Sequence, residues 1–360
     1  MHETSSAIMI THSLRSAAKR SIKHLAIRTG LEAVALSRAD RFAKSAAGRG
    51  VIFTLHHVRP QRDFAFEPNG HLSVTPEFLD SALTVAREAG LEPVSLELLP
   101  KLLSDSTGQR RLFCVTLDDG YRDNAKYAAP VFRKHGVPYT IFVTPGFVER
   151  TRTMWWETAE VLTRVATSFR FDFGNGAETV RSSSIGEKWL AFERLAAFVQ
   201  QIDEDTAVAA IDQAALACDI DGRQIVDDEI MTEPELKQLT ASDPLARLGA
   251  HTLTHPNLAR VDAERLHREM QQSAIRISDY CGRLPTTFAY PYGSKHAAGP
   301  REALAAKDNG FVAAVTTQPG VLSSASAEKP TLFPRVSLNG HYQKERYVRA
   351  LISGLPFRLM

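Results

Sequence analysis

Short apolar runs recur along this chain, and most lead into a stretch of helical pattern. Val51-Ile52-Phe53-Thr54-Leu55 is followed by a helix that Thr75 caps, Pro76 opens and Gly90 stops. Leu112–Leu117 precedes a helix over 123–135, and Tyr139–Val143 forms the third run. The alternation resumes with strands at Leu245–Gly249, Thr286–Tyr290, Phe311–Thr316 and Leu332–Val336, separated by helices over 262–281 and about 300–309. Strands that are apolar throughout are strands covered on both faces, and alternation with helices makes them parallel. Six or seven such units predict an α/β fold, a closed or nearly closed β/α barrel.

The alternation breaks between about 151 and 235. Trp155-Trp156-Glu157 opens a helix there, Gly174-Asn175-Gly176 offers a hairpin turn between Phe-rich flanks, and a long helical region covers 187–217. This predicts a largely helical insertion into a barrel of residues 51–360. Residues 1–50 form a separate helical segment. They carry nine Lys or Arg against three acids, a local charge of +6 in a chain whose total is only +2. A helix on an anionic membrane surface and a helix packed on the domain with a solvated basic face both remain open.

The near-neutral total argues against a nucleic-acid binder. Three well-separated cysteines, Cys114, Cys218 and Cys281, exclude a disulfide framework and a thiolate zinc site. Basic residues interrupt the N-terminus where a secretory signal needs an apolar core. A cytoplasmic protein, or one peripheral at the inner membrane, is the expectation. At 360 residues the core stands without metal or crosslinks, so a metal here serves function.

Two segments at strand ends carry chemistry. Asp118-Asp119-Gly120 follows the second strand, and adjacent carboxylates are costly to bury without a cation or proton. His251-Thr252-Leu253-Thr254-His255 follows a later strand, and one backbone turn lets both imidazoles meet one metal. Barrel strand ends converge on one face. Two imidazoles and one carboxylate leave coordination positions open, and the second aspartate is then available as a base.

These segments resemble the polysaccharide deacetylases with the NodB-homology domain, carbohydrate esterase family 4, over residues about 50–150 and 245–320. The family motif T-F-D-D-G corresponds to Thr116-Leu117-Asp118-Asp119-Gly120, and H-[ST]-x-x-H to His251–His255. The resemblance implies a distorted (β/α)7 barrel, Asp118 as base, and Asp119, His251 and His255 as ligands of one divalent metal. Zn2+ suits such a set, and Co2+, Ni2+ or Fe2+ also fit. The third motif, R-x-P-Y, is half present: Tyr290-Pro291-Tyr292-Gly293 keeps Pro-Tyr-Gly, but Ala289 stands where the family has Arg. By resemblance the Tyr292 N–H helps hold an oxyanion. Arg335, on the last strand, is the candidate to replace the missing guanidinium and orient Asp118.

The fifth motif, L-x-H, supplies the family's general acid and has no close match. His341 is one candidate, and His56 and His57, after the first strand, are rivals that also suit a substrate role. Trp155, Trp156 and Glu157 either line the approach to the site or anchor the insertion. The expected activity is N-deacetylation of an N-acetylated amino sugar in a polysaccharide, chitooligosaccharide or glycolipid, with release of acetate. Two other readings stay open: a metal-dependent amidohydrolase for a small cyclic imide or ureide, and a carbohydrate-binding barrel that has lost catalysis.

Overall fold

The structure, a computed structural model, describes residues 22, 24–36, 44–105 and 110–358. The expected N-terminal basic helix is helical over 24–36, and its earlier part, with Arg15, Lys19 and Arg20, lies outside the described residues. The chain divides into two compact units, and residues 31–61, 71–152 and 229–360 make the larger one.

The larger unit is a closed barrel of seven parallel strands. They are β1 (Gly50–Leu55), β2 (Arg111–Leu117), β3 (Tyr139–Val143), β4 (Ala246–Ala250), β5 (Thr287–Ala289), β6 (Ala313–Pro319) and β7 (Phe333–Ser337). Each pairs with its successor, and β7 returns to β1 through Phe53 with Val336 and Thr54 with Ser337. A register shift between Val315 and Pro319 distorts the β6–β7 pairing. An eighth short strand, Leu91–Pro93, pairs with the start of β2.

Ile52, Cys114, Phe142, Ala289, Val315 and Phe333, from six of the strands, form one buried cluster. Side chains alternate across a strand, so these positions fix which residues face the barrel interior. Gly249 belongs to that packing. A Cβ there would meet the Phe142 ring at 2.5 Å and Thr287 Oγ1 at 2.8 Å, so only hydrogen leaves room. The surrounding helices have ordinary ends. Thr75 Oγ1 accepts the Phe78 N–H at the start of Pro76–Glu88, and Asp262 caps Ala263–Cys281, which Gly282 ends with φ 69°.

The second unit comprises residues 1–30, 62–70 and 153–228. The Gly174-Asn175-Gly176 turn joins strands Ser168–Asp172 and Ala177–Arg181, and Asp172 Oδ1 accepts the N–H groups of Gly174 and Gly176 at 2.7 and 3.0 Å. The single helical region read over 187–217 is two helices, Ile185–Gln201 and Glu204–Leu216. The break falls at Asp203, whose carboxylate accepts the Thr206 N–H and starts the second one. Among the described residues, no helix is long and apolar enough to cross a membrane.

Candidate active site

Strand ends of the barrel bring Asp118, Asp119, His251 and His255 together. Asp118 and Asp119 leave β2, and the Asp118 N–H donates to Leu55 O on β1 at 3.0 Å. His251 leaves β4 with its N–H on Val143 O of β3. Nε2 of both His251 and His255 stands 3.5 Å from Asp119 Oδ1. Around one tetrahedral ion with bonds of ~2.0–2.1 Å, neighbouring donor atoms lie about 3.3 Å apart, so this spacing suits a single metal. Asp119 Oδ1 is buried and accepts no hydrogen bond, which leaves it a lone pair aimed at that position. His251 Nδ1 donates to Ala289 O at 2.7 Å, and this fixes Nε2 as the free donor atom. The residues therefore fit a divalent metal.

Protonation follows the same geometry. Burial pushes His255 down to about 3, and the charge of His251 adds to that. Burial opposes His251 too, but Asp119 and Asp118 opposite it hold it above the ordinary histidine value. Asp119, facing both imidazoles, is lowered against its own burial. A cation bound here would compete with the proton that the two aspartates favour on His251.

Arg335, on β7 and almost fully buried, reaches across the barrel to Asp118. Nη1 donates to Oδ1 at 2.7 Å and Nη2 to Oδ2 at 2.6 Å. Its remaining donors go to Thr316 O and Thr116 Oγ1 at 2.8 and 3.1 Å. A fork-to-fork pair of this kind fixes the plane of the carboxylate as well as its charge. Burial works to raise the Asp118 carboxyl, but the guanidinium outweighs it and holds the group below the usual carboxylate value.

His56 and His57 part company at the end of β1. His56 Nε2 lies 3.9 Å from Asp118 Oδ2. Burial, with the positive charges of Arg335 and His251, keeps His56 below the ordinary histidine value against the pull of the two aspartates. His57 is buried on the other side, with Nδ1 2.6 Å from Asp123 Oδ2 and its ring 3.6 Å from that of Tyr121. Glu229 stands close to this pair, and the three make a second group of metal-ligand type. That group is internally paired: Asp123 Oδ1 accepts Val58 N–H and Asn124 Nδ2, and Glu229 accepts Arg59.

Tyr292 lies beside the triangle, its ring 5.4 Å from that of His255, and Phe147 stands at 5.7 Å. Asp119, Thr252, His255 and Tyr292 all have φ between 61° and 73°. Only two other described non-glycine residues share that left-handed conformation, so the backbone strain of the unit is concentrated at the site. His341 sits exposed on the turn Gly340–Tyr342, its ring 6.2 Å from that of His71. Trp155 and Trp156, in the second unit, are nearly buried. They meet edge to face at 6.0 Å, and Trp155 also stacks on Phe192. Sequence reasoning missed Thr116, which ties Arg335 to β1 by donating to Phe53 O. Its place two residues before Asp118 on an alternating strand was the available signal.

Comparison with known proteins agrees with this geometry. The family model described as polysaccharide deacetylase matches residues 105–177 and 215–313, which include Asp118, Asp119, His251, His255 and Tyr292. No curated protein matches the chain in sequence. Among solved structures, the deacetylase PplD of Streptococcus pyogenes, in complex with acetate, is 16% identical with a TM-score of 0.51. The match covers 81% of this chain and 92% of that one. IcaB of Ammonifex degensii is 15% identical with a TM-score of 0.51, over 84% of this chain and 97% of the other. A polysaccharide deacetylase from Bacillus cereus is 13% identical with a TM-score of 0.52, over 84% and 68%. At such identities the structures speak for the fold. The matched model, with both aspartates and both histidines inside it and gathered at one end of a seven-stranded barrel, makes this chain similar to the polysaccharide deacetylases.

Proposed function

We propose that this protein is a metal-dependent N-deacetylase for N-acetylated amino sugars of an oligosaccharide, polysaccharide or glycolipid, and that it releases acetate. The observation that carries the reading is the Asp119–His251–His255 triangle beside an Asp118 clamped by Arg335. Asp119, His251 and His255 would hold one divalent metal, with Zn2+ the first choice for this donor set. Such an ion polarises a carbonyl and lowers the pKa of water. Asp118, ionised and held in one orientation, takes the proton of the attacking water. The Tyr292 N–H donates to the developing oxyanion. The leaving amine also needs a proton, and His56, whose Nε2 stands 3.9 Å from Asp118 Oδ2, is the side chain placed to give it. The acid role expected for His341 falls to His56 in this reading, because His56 is the histidine that stands against the base.

The acetate in the Streptococcus structure is the product this chemistry yields, and it supports the same assignment. The basic segment over residues 1–50 suits a peripheral place on an anionic membrane, where a lipid-linked glycan would be reached. The test is acetate release from N-acetylglucosamine oligomers, with and without a chelator. Chelator-sensitive release is expected. Sugar binding without turnover in zinc-loaded protein would favour a binding barrel, and turnover of a cyclic imide instead would favour the amidohydrolase.

A further inference from the structure

The helix Ala263–Cys281 buries one face against the barrel, and that face is mostly apolar: Leu266, Met270, Ala274 and Ile277. Glu269 lies in the same stripe and is equally buried. A carboxylate in such a position is costly unless it is fully hydrogen-bonded. Three hydrogen bonds reach it from the segment that carries the two histidines. Glu269 Oε2 accepts the N–H of Leu253 at 2.9 Å and of Thr254 at 2.8 Å, and Oε1 accepts the Thr254 hydroxyl at 2.6 Å. Arg265, one turn earlier, pairs with Oε1 at 3.5 Å.

This segment needs an outside acceptor. Thr252 and His255 both lie in the left-handed region, with φ 62° and 61°, so the chain between them belongs to neither helix nor strand. Its two successive N–H groups point at one carboxylate. On its other side Leu253 O accepts the Gly146 N–H at 2.8 Å, and a Cβ on Gly146 would meet that oxygen at 2.8 Å. The segment is therefore gripped between the loop after β3 and Glu269, and the grip sets where the His255 imidazole points.

We propose that Glu269 is a positioning residue for the metal ligand His255: it fixes the backbone of residues 252–255 so that both imidazoles reach one ion. This rests on the metal site proposed above, and it adds a residue that touches neither metal nor substrate. Partners of this kind change metal affinity by about 10–100-fold when lost.

The experiment titrates metal-free protein with Zn2+ against a chromophoric chelator. Glu269→Ala should bind zinc about 10–100-fold more weakly than wild type. Glu269→Gln keeps an acceptor for the two N–H groups and should lie closer to wild type. Ile277→Ala truncates a fully buried side chain on the same helix and should keep wild-type affinity. Wild-type affinity in Glu269→Ala would overturn the proposal. So would an Ile277→Ala variant as weak as Glu269→Ala, or a Glu269→Gln variant no better than Glu269→Ala. Should Glu269→Ala not fold, Thr254→Val removes only the hydroxyl bond, and unchanged zinc affinity there overturns the idea as well. His255→Ala separates the two claims. If wild type and His255→Ala bind zinc equally, the metal site itself has been misassigned.

Discussion

Replacing Arg335 by Met gives the sharpest test of how the base is held. The substitution keeps volume but leaves Asp118 buried beside Asp119 without its guanidinium partner, with only the imidazoles of His251 and His56 nearby. Breaking a buried ion pair from one side costs about 3–5 kcal/mol. In wild type the Asp118 carboxyl is lowered, so its stabilisation is present above the ordinary value of ~3.9 and is lost as pH falls through the folded value. In Arg335→Met the sign reverses. Burial, the largest influence on the group, is then opposed only by the two imidazoles, and the variant regains stability as pH falls and Asp118 takes a proton. A strain of that size places the carboxyl above the ordinary carboxylate value. Urea unfolding of the metal-free proteins at pH 7.5 and pH 5 should show a gap of several kcal/mol that narrows at the lower pH. The acid limb of kcat/KM should move up as well. Adding Asp118→Asn removes the stranded charge and should restore much of the lost stability. A gap below about 1 kcal/mol, well under the cost of a broken buried pair, or one that does not change with pH, would refute the reasoning.

Asp118→Asn alone should bind zinc like wild type yet lose turnover by a factor of ~10² or more, and zinc loss in that variant would exchange the roles of the two aspartates. Gly249→Ala forces a methyl into the Phe142 ring and should cost about 1–3 kcal/mol in urea unfolding, whereas wild-type stability would show that the barrel interior yields. Trp155→Ala should cost ~3–5 kcal/mol, since the indole is packed on Trp156 and Phe192. A variant with a raised KM and unchanged unfolding would assign that face to substrate instead.

The barrel is legible because parallel strands covered on both faces read as unbroken apolar runs, and those runs cannot be mistaken for amphipathic helices. Their ends are less legible. The run at Phe311 starts two residues before its strand, because Phe311 is buried without belonging to the sheet. The triangle of Asp119, His251 and His255 could be anticipated because Asp119 and His251 stand at the ends of β2 and β4, the two strands that flank β3, and His255 follows four residues after His251. Choosing between His56 and His57 needed parity. Ile52 faces the interior cluster, so Thr54 and His56 share its side and His57 takes the opposite one. Glu269 escaped notice because one acid in an amphipathic helix looks like a solvated residue until the helix is placed. The break at Asp203 was written in its capping chemistry, an Asp followed by two acids, but two apolar helices in succession hide a short gap.

The pairing of Asp118 with Arg335 joins residues 217 positions apart and crosses the seam where the last strand closes on the first. Asp119, His251 and His255 all precede residue 256, so during synthesis they emerge well before the guanidinium does. A partly made chain holds all three proposed ligands but lacks the guanidinium that aligns Asp118. β7 is in ladder register with β1 at Phe53–Val336 and Thr54–Ser337, and on the proposed mechanism its docking is what brings Arg335 to the base. If the proposed mechanism holds, hydrolytic competence becomes a report on the completed circuit of strands, and a chain cut before Arg335 should release no acetate however much of the barrel it has built.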